Sequence, residues 1–386
     1  MPNTLLKLVI SYLLFFTWTI FLNSCSISKQ GNAGRKVPVF TFKHGVSLSH
    51  WAGNMIDSFK YADARWFNKQ DVEWIAATGI DHIQLYVAGT EVVTADGKII
   101  AGKIAAIDSM ISWCADKNLG LVISPGRMPA VPVDSTLNPE ARLEQQLKKQ
   151  AGNMGIFASH FKNYGSNVCF MLNIGGNDNT VRNRYFETTI PEIRKTNPGR
   201  MLYLMAYTIN DLPGLYVPAN DNNIGIAAEM AQSTDAKVEA VDVFAWQYQE
   251  YYFTANMPHI SFPGKIPVID TSMTTSLARW ALKFSGTELK KDYFDQKFHA
   301  VKQWMKKHHP QKEFYVPHFR YWTGYPFDPK TVKDKKSVTN FISAFAHAAK
   351  KHNINWCFYD YNSGSGIRYP NGEKALLLGA LGVSNK

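Results

Sequence analysis

Cysteine is scarce in this chain, four in 386 residues, and no two stand in the C-x-x-C spacing of a thiolate metal site. Cys114, Cys169 and Cys357 each lie inside an apolar segment, which predicts buried free thiols. No His, Asp or Glu cluster has ligand spacing either, so neither a metal nor another cofactor is expected. Acidic residues are few, 31 against 42 Lys and Arg, leaving a formal charge of +11. Such a surface attracts nucleic acid, anionic lipid or acidic polysaccharide. There is no nucleic-acid-binding motif and no arginine stripe, so nucleic acid is not an expected partner. The basic run Lys306-Lys307-His308-His309 suits a helix C-terminus instead, where cations are favoured. Internal repeats and low-complexity runs are also missing. What remains, 45% hydrophobic and 19% charged, is the composition of a globular protein large enough for a full core.

Long apolar runs are lacking outside the N-terminus. There, Lys7 precedes an apolar stretch over residues 8–22 that ends in Leu22-Asn23-Ser24-Cys25. The order basic, apolar, small is that of a signal peptide, and the run is short for a membrane span. Cys25 at its end resembles the lipobox cysteine of bacterial lipoproteins, although Asn23 departs from the usual small or aliphatic residue. The resemblance implies lipidation at Cys25, with plain secretion as the alternative. The expected organisation is therefore a signal peptide over 1–24, a lipidated tether over 25–40 and one domain over 41–386. An anchor in the outer membrane facing the periplasm is the expected location, because the polar, basic tether has no acidic stretch.

From residue 44 onward, apolar β-rich runs alternate with amphipathic helical patterns. Candidate strands fall at 44–48, 82–87, 120–124, 168–173, 201–207, 241–246, 313–317 and 355–359. Most are continuous apolar runs, as parallel strands buried on both faces require. Between them, Asn68 and Asp71 can cap a helix carrying Val72, Ile75 and Ala76 on one face, with Gly79 ending it. Similar stripes are Leu143, Leu147, Ala151, Met154 and Phe161; Phe294, Phe298, Val301 and Met305; and Val338, Phe341, Ile342 and Phe345. Eight strand–helix units predict an α/β fold, a (β/α)₈ barrel in a single domain. The runner-up, an open doubly wound sheet, would want a Gly-rich phosphate loop after the first strand, and none is there. The stretch 248–291 exceeds an ordinary connection and reads as an insertion after strand six, with a strand of its own at 266–270.

Several segments in order resemble glycoside hydrolase family 5, the cellulase and mannanase family. Gly45-Val46-Ser47-Leu48-Ser49-His50-Trp51 is similar to its first strand and loop, and Phe67 to Ile75 with Gly79 to Leu85 to its first helix and second strand. Phe170-Met171-Leu172-Asn173 resembles the fourth strand, and Ile190 to Pro198 the helix and turn before the fifth. The resemblance implies a general acid/base Glu after Asn173 and a nucleophilic Glu on the seventh strand. Here Ile174 follows Asn173, and His318 stands nearest the nucleophile position. Gln84 replaces the second-strand arginine, and Ser124-Pro125-Gly126-Arg127 occupies the third-strand histidine region. A retaining glycosidase needs two carboxyl groups about 5–5.5 Å apart, and isoleucine and histidine do not supply them.

Replacement carboxylates must come from the C-terminal ends of strands. Asp178, Glu250 and Asp360 are the candidates, each also readable as a turn or solvated loop residue. Aromatics are dense near the same ends: Trp51, Tyr86, Tyr207, Trp246, Tyr248, Tyr321, Trp322 and Tyr361. Aromatic faces stack on sugar rings, and the alternative is packing between barrel and helices. Substrate contacts are expected from Asn173, His318, Trp51, Trp246, Tyr248, Trp322 and Arg127, the last making the cleft basic and suited to an acidic saccharide. Two functions follow, a polysaccharide- or oligosaccharide-binding pseudoenzyme and a glycosidase with relocated carboxylates. A structural envelope lipoprotein without ligand is a third.

Overall fold

The computed structural model describes residues 40–48, 67–129, 134–174, 179–230, 238–247, 252–319, 321, 335–359, 361 and 378–383. Cys25, Trp51, Asp178, Tyr248, Glu250, Trp322 and Asp360 lie outside the described residues. Among the described residues the strands are β1 (His44–Leu48), β2 (His82–Val87), β3 (Gly120–Pro125), β4 (Val168–Leu172), β5 (Leu202–Thr208), β6 (Ile224–Glu229), β7 (Gly264–Lys265), β8 (Glu288–Leu289), β9 (Phe314–Phe319) and β10 (Asn355–Phe358). Eight close a barrel in the order β1-β10-β9-β6-β5-β4-β3-β2, and every neighbouring pair is parallel. With the helices that follow its strands, this is a (β/α)₈ barrel.

The helices are α1 (Lys69–Ala77), α2 (Ala101–Asp116), α3 (Pro139–His160), α4 (Asn179–Arg194), α5 (Ala240–Trp246), α6 (Tyr293–His308) and α7 (Lys335–Lys351), with a one-turn helix at Gly89–Val92. Helix α1 begins as its sequence dictates. Asn68 Oδ1 accepts from the Gln70 and Asp71 amides at 2.8 and 3.3 Å, and Asp71 Oδ2 accepts from the Asn68 amide at 2.9 Å. Val72 and Ile75 are buried, and Gly79 takes φ 84° just past the end. Phe294, Phe298, Val301 and Met305 line the buried face of α6, and Val338, Phe341, Ile342 and Phe345 that of α7. Each such side chain contributes about 1.5–3 kcal/mol by leaving water. Lys306, Lys307 and His308 occupy the last turn of α6, against its negative dipole end. Cys114, Cys169 and Cys357 are free and buried, and burial pushes the Cys114 thiol up to about 12.

The sixth strand corrects the sequence reading. Residues 241–246 are not a strand but most of α5, and the barrel strand is Ile224–Glu229. All six residues from Val241 to Trp246 are buried, so no periodicity separates helix from strand there. The Glu239 amide donates to Asp242 Oδ2 at 2.7 Å and starts the helix. Conversely, Ile224-Gly225-Ile226-Ala227-Ala228-Glu229 is rich in residues that disfavour strands. Gly225 is required there because a Cβ would lie 2.5 Å from Cε1 of Tyr203.

The connection from β6 to β9 contains α5, the antiparallel β7–β8 ribbon and a 3₁₀ segment at Ser276–Phe284 before α6. The expected strand at 266–270 is absent. Gly264 and Lys265 pair with Leu289 and Glu288, and the next residue after Ile266 is Pro267, which has no N–H to extend a ladder.

Two kinds of core follow from strand alternation. One face packs on the helices. The other fills the lumen with Val122, Cys169, Met171, Tyr203, Met205, Ala227, Tyr315 and Cys357, closed at the N-terminal end by Phe42. Phe42 stands edge-on to His82 at 5.6 Å. Gly45 makes room for that imidazole, since a Cβ there would lie 2.1 Å from His82 Nε2.

Candidate functional site

Strand alternation alone would not aim His318 inward, because Tyr315 already faces the lumen three residues earlier. The register supplies the change: Trp356 pairs with Val316 and Phe358 with Phe319, so β9 spends one extra residue around Pro317. A bulge of this kind turns the following side chain to the other face. A second irregularity, between Ala206 and Thr208 on β5, lies beside Glu229 at the end of β6.

The C-terminal mouth therefore gathers residues from six strand ends. His318 Nδ1 is 2.8 Å from Glu229 Oε1, and its Nε2 is 3.0 Å from Gln84 Nε2. Gln84 Oε1 accepts from the Tyr315 hydroxyl at 2.9 Å. The His318 ring lies 5.3 Å from that of Tyr86, tilted by 32°, and meets Tyr359 edge-on at 5.5 Å. Asn173 Nδ2 donates to the Tyr86 hydroxyl at 3.4 Å. Burial pushes the Tyr86 phenol well above its ordinary value, and the nearby Glu229 carboxylate adds to the rise. Tyr86, Asn173, Tyr207, Glu229, His318 and Tyr359 are all half-buried, whereas the strand residues below them are buried. A ring of half-buried polar and aromatic groups above a filled lumen is where a barrel of this kind presents a binding face.

The expected residues divide accordingly. Asn173 and His318 share this mouth, joined through Tyr86. Arg127 follows β3 at the same end, exposed, its charge bearing on the buried Tyr185. Trp246 does not end a strand: it closes α5, is 7% exposed and packs edge-on to Tyr252 at 5.3 Å. Tyr321 and Tyr361 are also packed away, Tyr361 donating its hydroxyl to Asp71 at 2.8 Å. Glu250 follows α5 and not a barrel strand, while Asp178 precedes α4 and Asp360 follows β10. Ile174 is 7% exposed within the apolar layer between barrel and helices. Among the described residues no group of three or more His, Cys, Asp and Glu could hold a metal ion.

Sequence reasoning missed Glu229, because the sixth strand was sought at 241–246. The available signal was an apolar run from Ile224 to Ala228, preceded by Asn222-Asn223 and ended by a carboxylate. It also took Gln84 only as a lost arginine, although Gln84 links Tyr315 to His318.

The fold is that of cellulase-type glycoside hydrolase barrels. The cellulose synthase subunit Z of Clostridioides difficile superposes with a TM-score of 0.60 at 19% identity, covering 88% of this chain and 99% of its own. Cel5A of Thermotoga maritima, solved in complex with cellobiose, superposes with a TM-score of 0.60 at 15% identity, over 88% and 97% of the two chains. The same enzyme has also been solved in complex with mannotriose, where the TM-score is 0.61 at 16% identity. In sequence, Endoglucanase C of Acetivibrio thermocellus is 23% identical over 230 residues, which are 57% of this chain. The match spans 62% of the length of that relative. No family model matches the chain.

Proposed function

We propose that this chain is a saccharide-recognising barrel of the cellulase type that binds a polysaccharide or oligosaccharide at its C-terminal mouth without the two-carboxylate hydrolysis of retaining glycosidases. One observation carries the reading. The position after Asn173 is Ile174, sealed in the apolar layer, and the strand expected to deliver a nucleophile delivers His318. Among the described residues Glu229 is the carboxylate of the mouth network, held on His318. Retaining chemistry needs two carboxyls about 5–5.5 Å apart, one to protonate and one to attack. Tyr86, Asn173, Tyr207 and Tyr359 supply aromatic faces and hydrogen-bonding groups for a sugar. The cellobiose and mannotriose complexes of Cel5A make β-linked hexose oligosaccharides the first ligands to try. Arg127 and the +11 charge make uronate-containing ones the second.

The second reading, a glycosidase with relocated carboxylates, is favoured by the Glu229–His318 pair at a strand-end mouth, with Asp178 or Asp360 as partner. Calorimetry and a hydrolysis panel on cello-, manno- and uronate oligosaccharides decide between them. Binding without turnover is expected. Hydrolysis by the wild type, lost in Glu229→Gln or Asp360→Asn, would overturn the binding reading in favour of the enzyme.

The cell-envelope location rests on Lys7, the apolar run and Leu22-Asn23-Ser24-Cys25. Lipid attachment at Cys25 would tether the barrel to the outer membrane facing the periplasm. Cys25→Ser should move the protein from the membrane to the soluble fraction, and unchanged fractionation would favour plain secretion.

A further inference from the structure

A single line of hydrogen bonds runs through the lumen from base to mouth. Asp81 Oδ1 is 2.6 Å from His82 Nδ1, His82 Nε2 is 2.9 Å from the Tyr315 oxygen, and the line continues through Gln84 and His318 to Glu229. Its members come from β2, β6 and β9 and the turn before β2, and His82, Gln84 and Tyr315 are each fully buried. Among the described residues each ring nitrogen of the two histidines meets one partner, so the count of protons along the line is constrained by donor and acceptor matching.

We propose that this line admits one imidazolium, held either by His82 at the base or by His318 at the mouth, and that the orientation of the Gln84 amide decides which. With Gln84 Oε1 toward Tyr315, the Tyr315 hydroxyl donates to it and cannot also donate to His82. His82 Nε2–H must then donate to the Tyr315 oxygen while Nδ1–H donates to Asp81, so His82 carries both protons. On the other side, Gln84 Nε2–H donates to the Nε2 lone pair of His318, which is neutral and gives its Nδ1–H to Glu229. Turning the amide by half a revolution inverts every link. Gln84 then donates to the Tyr315 oxygen, Tyr315 donates to a neutral His82, and His318 carries both protons, one to Gln84 and one to Glu229. The two arrangements hold the same number of protons, one leaving His82 as one arrives at His318 Nε2.

Tyr315 also hydrogen-bonds the Cys357 thiol, a weaker donor and acceptor than imidazole or amide, so the thiol does not displace either strong partner from the hydroxyl. His82 also faces His44 from β1 and the Phe42 ring, and His318 faces Tyr86 from β2 and Tyr359 beyond β10. Burial holds the Tyr86 and Tyr315 phenols above their ordinary values, so neither becomes a phenolate acceptor near neutral pH. The mouth pair His318–Glu229 is thus anionic in the first arrangement and neutral overall in the second. Gln84, where the family resemblance implies an arginine, is the positioning residue that allows this choice, because its amide offers a donor on one side and an acceptor on the other, whereas a guanidinium only donates.

The test needs no saccharide, so its failure would leave the proposed function standing. The full chain is labelled with ¹⁵N-histidine, and long-range ¹⁵N–¹H spectra are recorded near pH 7, with His82→Gln and His318→Gln assigning the signals. One doubly protonated ring and one neutral Nδ1–H ring are expected for the pair. Gln84→Glu, of nearly equal size, presents acceptors on both sides and should make His82 and His318 doubly protonated together. Tyr315→Phe should uncouple them, letting His82 become neutral without a change at His318. A circular dichroism melt checks that each variant folds. Two neutral or two doubly protonated rings in the wild type, or one ring left neutral in a folded Gln84→Glu protein, would overturn the proposal.

Discussion

The two ends of the barrel pair a tyrosine with a glutamate in different surroundings. At the base, the Tyr203 hydroxyl donates to Glu313 Oε1 and Asn355 Nδ2 donates to Oε2 at 3.1 Å, beneath Phe40 and Phe42. Tyr203 is fully buried and stacks on Tyr315 at 4.7 Å. At the mouth, Glu229 bonds His318 and bears on Tyr86, yet every member of the group keeps part of its surface open. With its tyrosine fully buried the pairing holds the lumen together, and with both partners half-open it leaves polar groups facing the mouth. Substitutions at the base should therefore change stability and leave saccharide affinity alone, and those at the mouth the reverse.

The largest effect tests the border between the two regimes. Ile174→Glu would restore the residue type the family resemblance implies, one position from Asn173. Because Ile174 lies in the apolar layer, the carboxylate would be buried without a partner, costing about 3–5 kcal/mol, and no hydrolysis should appear. Chemical denaturation and the oligosaccharide panel read both outcomes; a stable, active variant would show that position 174 belongs to the mouth. Next is Gly45→Ala at the base, where the new methyl collides with His82 and should cost about 1–3 kcal/mol or more by overpacking. Its melting point should fall while the affinity of the folded fraction stays. Asn173→Ala makes the opposite prediction, weakening saccharide binding by about 1–2 kcal/mol, roughly five- to thirtyfold in Kd, with little change in melting.

The smallest effect is spectroscopic. The fold favours the neutral Tyr86 phenol, so its contribution to stability is fully present below the ordinary value of 10.0 and is lost as pH climbs through the raised value of the folded state. An alkaline absorbance titration of wild type minus Tyr86→Phe should place this ionisation above 10.0. Glu229→Gln should bring it down only in part, because burial is the larger cause.

Helix α1 shows how much was legible without coordinates. Its capping box, buried face and terminal glycine are all local, so Asn68 to Gly79 specify them within one stretch of chain. The strands β1 and β2 were equally clear, since Val46 and Leu48, and Ile83, Leu85 and Val87, recur at alternate positions of 44–48 and 82–87. Strand six was not. Val241 to Trp246 is as apolar as a buried strand, and β6 carries two alanines and a glycine that makes room for Tyr203. Burial on all sides erases the periodic signal in the one case, and a long-range steric demand removes strand propensity in the other.

The candidate site follows the same division. That Asn173 and His318 end barrel strands could be read from the chain, because each terminates an apolar run. That His318 faces inward depends on the bulge near Pro317, a matter of register against β10. That Glu229 meets it depends on β6 lying beside β9 across a connection of more than eighty residues, counted from residue 229 to residue 314. Local composition and periodicity thus determined the alternation of strands and helices and the faces they bury. Only closure of the barrel decided which polar side chains share the mouth, because their contacts join residues as far apart as Gln84 and His318, and nothing in either stretch of sequence specifies the other.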